Sequence, residues 1–197
     1  MRPNLRPCLL ALALLAPLAA CQKPEAPEAA STATAPSPAD AAFADLSARA
    51  LEAWMRLSPV AATQAGDHRH DAELDDLSAE GRRQALETSR ALLAELDALD
   101  VAALSRDNQV DAAILRNRLE YDIWSAEVLQ PWAWDPQVYG DLAGSAIYGL
   151  MAREFAPLPE RLRSATARMR LIPGLLAQAR ANLDPARVPK IHAETVA

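Results

Sequence analysis

Cysteine and histidine are scarce in this sequence, with two and three among 197 residues. Two cysteines cannot build a disulfide framework, so stability must come from packing. The three histidines are His68, His70 and His192, too few to support a Ser-His-Asp or Cys-His arrangement. His192, Ala193 and Glu194 run in the order H-x-E, whereas a zincin needs H-E-x-x-H, with two histidines four apart on one helical face. Long apolar runs are also missing. The longest, residues 9–20, falls short of the roughly 20 apolar residues that cross a bilayer as a helix. Basic charge is in deficit, with a formal net charge of −6, which argues against nucleic acid as a partner because its binding depends on neutralising phosphates. The sequence contains neither an alternating strand pattern nor an internal repeat at a fixed period.

The amino terminus has the layout of an export signal: Arg2 and Arg6, the apolar run, then small residues before Cys21. Leu18, Ala19, Ala20 and Cys21 resemble the lipobox of bacterial lipoproteins, which predicts a signal peptide over residues 1–20, cleavage between Ala20 and Cys21, and lipidation of Cys21. A cysteine is required there because its thiolate can take a diacylglyceryl group as a thioether. The freed amine can then accept a further acyl group such as palmitate. Each buried methylene adds about 0.8 kcal/mol of membrane affinity, so two or three chains make a lasting anchor. Cys8 leaves with the leader, so Cys21 has no internal disulfide partner in the mature chain, and loss of Arg2 and Arg6 takes the charge to about −8. Gln22 stands where an aspartate would favour the inner membrane, so the expected place is the cell envelope, on the periplasmic face of the outer membrane.

Residues 21–40 hold the lipidated cysteine and a stretch rich in Pro, Ala, Ser and Thr, with no large apolar side chain to offset the entropy of ordering. They are expected to form a disordered, semi-extended linker. Residues 41–197 show helical periodicity and predict an all-α, bundle-like lobe of amphipathic helices. Phe43, Leu46, Ala50, Trp54 and Leu57 mark a first helix that ends before Ser58-Pro59. A second starts after Ser78, with Glu80 in its first turn and Ala85, Leu92, Leu96 and Leu99 as its buried stripe. A third follows Ser105 and is expected to bury Val110, Ile114, Tyr121, Trp124 and Val128, a face that Asn117 interrupts. A long helix beginning near Pro159 should bury Leu162, Ala165, Met169, Ile172, Leu176, Ala179 and Leu183, continuing in phase through Pro173-Gly174 with a kink. Residues 191–197 read as the opening of another helix, so the domain is expected to be the incomplete front portion of a longer one.

Asp67, His68, Arg69, His70 and Asp71 are the densest group of potential metal ligands, but near-continuous spacing cannot aim them at one ion. They are expected to cap backbone groups in a loop between helices. All three tyrosines and three of the four tryptophans fall between Tyr121 and Tyr148. Trp132, Trp134, Tyr139 and Tyr148 are candidates for one wall of a substrate cleft, against the simpler reading of a packed helix junction.

The segments SPVAATQAGDHRHDAELDDLS, WAWDPQVYG with the following AIYGL, REFAPLPERL and IPGLLAQARANL together resemble the N-terminal part of the bacterial family known as domain of unknown function 885. The likeness runs from about Phe43 onward. It implies a largely helical, often exported or lipid-anchored protein, longer than this chain, whose C-terminal half carries H-E-x-x-P-G-H and groups it with zinc-dependent peptidases. In such a protein the histidines would bind zinc and the glutamate would activate a zinc-bound water. No catalytic or metal residue carries over to this sequence. The expectations are therefore no cofactor in this chain, zinc and a peptide substrate only for a full-length member, and membrane lipid at Cys21 as a partner. An absent C-terminal lobe is a further expected partner. The alternative is a non-catalytic envelope lipoprotein acting as a binding or structural module.

Overall fold

The computed structural model describes residues 37–196. Ser37 starts the first helix: its hydroxyl accepts the Asp40 N–H at 3.0 Å, and Pro38 occupies a first-turn position that needs no donor. The resulting helix α1 (Pro38–Leu57) opens three residues inside the expected linker. It stops at Ser58, and Pro59 restarts the chain as α2 (Pro59–Ala65). Gly66, at φ 94°, then closes α2: its own N–H reaches Thr63 O at 3.1 Å and the next N–H, of Asp67, reaches Ala62 O at 2.9 Å. Helix α3 (Ala79–Asp97) carries the expected Ser78 cap, whose Oγ accepts the Gly81 N–H at 3.1 Å. A Cβ at Gly81 would come within 2.3 Å of Asp76 O, so no other residue fits there.

Helix α4 (Arg106–Trp124) is capped by Ser105, and the start of α1 is tied to it, since Asp40 Oδ1 accepts from Ser105 N at 2.9 Å and Asn108 Nδ2 at 2.7 Å. Its end widens into a π-turn, with Gln130 N bonded to Ser125 O at 2.8 Å, and Gln130 takes a left-handed conformation (φ 51°) that redirects the chain. Helices α5 (Pro131–Trp134), α6 (Gln137–Met151), α7 (Leu158–Asn182) and α8 (Lys190–Val196) follow. Among the described residues there is no strand, so the all-α expectation holds. None of these helices is long and apolar enough to cross a membrane.

Two apolar clusters organise the helices. Phe43, Leu46, Ala50, Leu92, Leu96, Leu104, Ala112 and Leu119 join α1, α3 and α4. Tyr139, Leu175 and Ala179 join α6 to α7, with Leu74, Leu77 and Leu183 against them. Full burial of a leucine side chain contributes about 1.5–3 kcal/mol, so Leu46 and Leu96 are principal holders of the first cluster.

Two helices are rotated from the expected phase. Helix α4 buries Ala112 and Leu119, whereas Val110, Ile114, Tyr121, Trp124 and Val128 are exposed, as is Asn117. The reason is that α4 carries two apolar stripes, and the one with smaller side chains lets α3 approach closely. On α7 Ala165 and Ala179 are buried as expected and Ile172 and Leu183 are half-buried, but Leu162, Met169 and Leu176 are exposed and Arg161, Arg168 and Leu175 are buried in their stead. Two arginines hold core positions there, and the helix continues through Pro173. On α3, Ala85 is half-buried and Leu99 lies beyond the helix end.

Candidate functional site

Helices α1, α3 and α4 touch pairwise at their buried positions and separate toward solvent, leaving an apolar trough of about 750 Å³. Phe43, Trp54 and Leu57 of α1, Ala85 and Leu86 of α3, and Ile114 and Leu115 of α4 line its length. Pro131, Trp132 and Val138 close one end. Its charged groups are few. Arg118 is bound to both oxygens of Asp122 at 2.9 Å, so that pair is internally neutral, and Asp111 lies exposed at the Phe43 end. Arg82 is different. Its Nη1 donates to Leu77 O, its guanidinium lies 3.8 Å over the Trp132 ring, and it belongs to none of the ion pairs among the described residues. Burial pulls its pKa below the ordinary arginine value, opposed by Tyr139 and Asp76. Ser47 Oγ, also on the trough lining, is buried without a hydrogen-bond partner.

The four aromatic candidates do not share one wall. Trp132 faces the trough. Tyr139 is buried behind it: its hydroxyl donates to Trp132 O at 2.8 Å and accepts from Asn182 at 3.0 Å, which fixes the Trp132 backbone, and burial raises its pKa. Trp134 donates to Leu129 O at 2.9 Å and packs at an angle on His192. Tyr148 is 74% exposed, on α6 near Gln64 and Arg153. Their closeness in sequence spreads them over a short helix and two faces of α6. Cys21 and Ala20 lie outside the described residues.

A second arrangement, invisible to a hydrophobic pattern that assigns arginine to solvent, surrounds Arg168. Its guanidinium is fully buried and serves four backbone carbonyls: Nε donates to Glu73 at 2.8 Å, Nη1 to Ala146 at 3.0 Å, and Nη2 to Pro59 at 2.9 Å and His70 at 3.3 Å. Nη2 also reaches Thr63 Oγ1, which donates to Asp71 Oδ1 at 2.6 Å, while Asp71 Oδ2 meets His68 Nδ1 at 3.0 Å. His68 stacks on Phe155 with ring centres 3.6 Å apart. The Asp67 to Asp71 run is therefore a loop stapled onto α7, α2 and α6. Desolvation lowers the Arg168 pKa, opposed first by Asp71. It also raises that of Asp75, although the Val60 N–H bonds to the Asp75 carboxylate at 3.0 Å. Thr63 is 1% exposed and cannot meet a substrate.

The donors do not suit zinc. His68 is committed to Asp71, His70 to Glu73 at 3.2 Å and His192 to Asp135 at 2.9 Å, three separate pairs. Among the described residues no three His, Cys, Asp or Glu side chains converge on a point.

The profile of the family described as "Bacterial protein of unknown function (DUF885)" matches residues 59–197, which include Arg168, its partners Thr63 and Asp71, and the Arg82–Trp132 pair. No curated protein matches the chain. A solved structure from Shewanella oneidensis, of a protein of unknown function provisionally described as a lipoprotein, superposes with a TM-score of 0.67 at 32% sequence identity. The superposition covers 72% of this chain and 26% of that one, so this chain corresponds to about a quarter of the solved protein. With a family profile matching well over half of its length, the chain belongs to the bacterial family of domain of unknown function 885.

Proposed function

We propose that this chain is the helical, non-catalytic front lobe of a lipid-anchored cell-envelope protein, held through Cys21 at the periplasmic face of the outer membrane. It would serve as the seat for a second lobe in a zinc-peptidase-like protein. The observation that carries this reading is the pair of apolar faces left exposed on α4 and α7: Val110, Ile114, Tyr121, Trp124 and Val128 on one, Leu158, Leu162, Met169 and Leu176 on the other. Their helical spacing gives two stripes, one running from α4 into the π-turn after it and broken by Asn117, the other along α7, larger than the scattered apolar residues of an ordinary surface. The occupant is a further lobe of the kind for which the longer Shewanella oneidensis protein has chain to spare. Zinc and its ligands belong to that lobe, since the donors present here do not suit the metal.

The anchor is supported by Leu18, Ala19, Ala20 and Cys21 behind a charged, apolar leader, and by the description of the structural relative. The trough favours a second reading, in which the lobe is itself a binding module of the envelope. Sedimentation velocity of the full chain, with an exposed-hydrophobe dye, tests the seat. Self-association and strong dye binding are expected, both reduced by Val128→Lys with Leu176→Lys. A monodisperse monomer that binds no dye contradicts the reading.

A further inference from the structure

We propose that the trough between α1, α3 and α4 binds a single-chain anionic amphiphile, a long-chain carboxylate, with its head at Arg82 and its apolar tail running toward Phe43. The inference rests on the trough alone and does not depend on the anchor or on a second lobe.

Shape argues for a chain. The lining follows α1 from Phe43 to Leu57, a length of about 21 Å at 1.5 Å per residue. A cavity of about 750 Å³ lies in the range of small-molecule sites, roughly 300–1,000 Å³. The trough is therefore long enough to take an extended chain along α1.

Charge argues for the head and for its position. Of the two arginines on the lining, Arg118 is neutralised by Asp122. Arg82 has spent one N–H on Leu77 O and offers the others without a carboxylate in ion-pair range. Asp76, the nearest acid it senses, is engaged by Ser78 N and Gln178 Nε2, both at 2.9 Å. Trp132, fixed from behind by Tyr139, holds the guanidinium plane in place at 3.8 Å. A preset guanidinium matches the two oxygens of a carboxylate better than any single-point acceptor. Asp111, at the opposite end, disfavours an anionic head there. Ser47 Oγ is the one buried side-chain polar atom of the lining without a partner, and most of the remaining lining is apolar.

The test uses the full chain carrying Cys21→Ser, so that no acyl group of its own competes. A dansyl-labelled undecanoate is titrated by fluorescence, with Trp54 and Trp132 as donors, then displaced by hexadecanoate or by hexadecanol. Saturable binding of one probe per chain is expected, with hexadecanoate the stronger competitor. Arg82→Gln should weaken the carboxylate about tenfold and leave the alcohol unchanged, the effect of losing one charge-assisted contact. Ala85→Trp, which fills the trough and spares Arg82, should abolish both, with circular dichroism confirming that each variant is folded. Absence of saturable binding overturns the proposal, and so does equal competition by alcohol and carboxylate or binding that survives Ala85→Trp.

Discussion

Arg168 on α7 and Thr63 on α2 are 105 residues apart in sequence and joined by a buried hydrogen bond of 2.7 Å. Around that bond the 66–78 loop, α2, α6 and α7 become one body. A buried guanidinium is costly to desolvate, and what offsets the cost is that each of its three nitrogens meets at least one backbone carbonyl.

Replacing Arg168 should therefore remove several interactions together. Arg168→Met leaves the carbonyls of Pro59, Glu73 and Ala146 without that donor, and the expected loss is about 3 kcal/mol or more. Arg168→Lys should recover little, because an ammonium cannot span acceptors placed for a planar fork. Urea denaturation measures both. A lysine variant as stable as the parent would show that positive charge alone, and not the fork, holds this region.

Asp40 gives a pH test at the other end of the fold. Hydrogen bonds from the Asn108 side chain first, then Ser105 N–H and the Ser37 hydroxyl, hold its carboxyl well below the usual carboxylate range. A carboxyl with a lowered folded pKa contributes stability above its unfolded value of about 3.9, and loses it as pH falls through the folded one. Asp40→Asn should thus be less stable than the parent at pH 7, with the difference shrinking below about pH 4. Urea midpoints across that range decide it, and a gap independent of pH would contradict the assignment.

The two faces of α4 should respond differently to truncation. Leu119, 5% exposed in the first cluster, should cost about 2–5 kcal/mol as Leu119→Ala. Tyr121, 52% exposed, should cost within about 0.5 kcal/mol as Tyr121→Ala. Thermal melts of the two variants check the rotation of this helix, and the reverse order would restore the phase read from sequence.

That phase shows what was legible. Helix starts at Ser78 and Ser105, the break at Ser58-Pro59 and the start near Pro159 were readable because caps and prolines act locally. Helices α2 and α6 were not foreseen: α2 is only seven residues long, and α6 contains Gly140, Gly144 and Gly149, each unfavourable to a helix by about 1 kcal/mol, so packing on α7 decides it. Which face turns inward was misread wherever the larger apolar residues lie outside. On α4 the small Ala112 marks the core, and on α7 Arg161 and Arg168 occupy positions that a hydrophobic pattern assigns to solvent. Arg161 is explained by its acceptors, the carbonyls of Leu150, Met151 and Ala156 around the end of α6. The trough is assembled from α1, α3 and α4 together, so no single segment could announce it.

The mass of the mature amino terminus decides whether this protein is anchored in the cell envelope through Cys21. Protein extracted from membranes and digested should yield a first peptide that begins at Cys21 and carries a diacylglyceryl group, with further mass from an acyl chain on its amine. A first peptide beginning at an unmodified Cys21, or at Gln22, would contradict it.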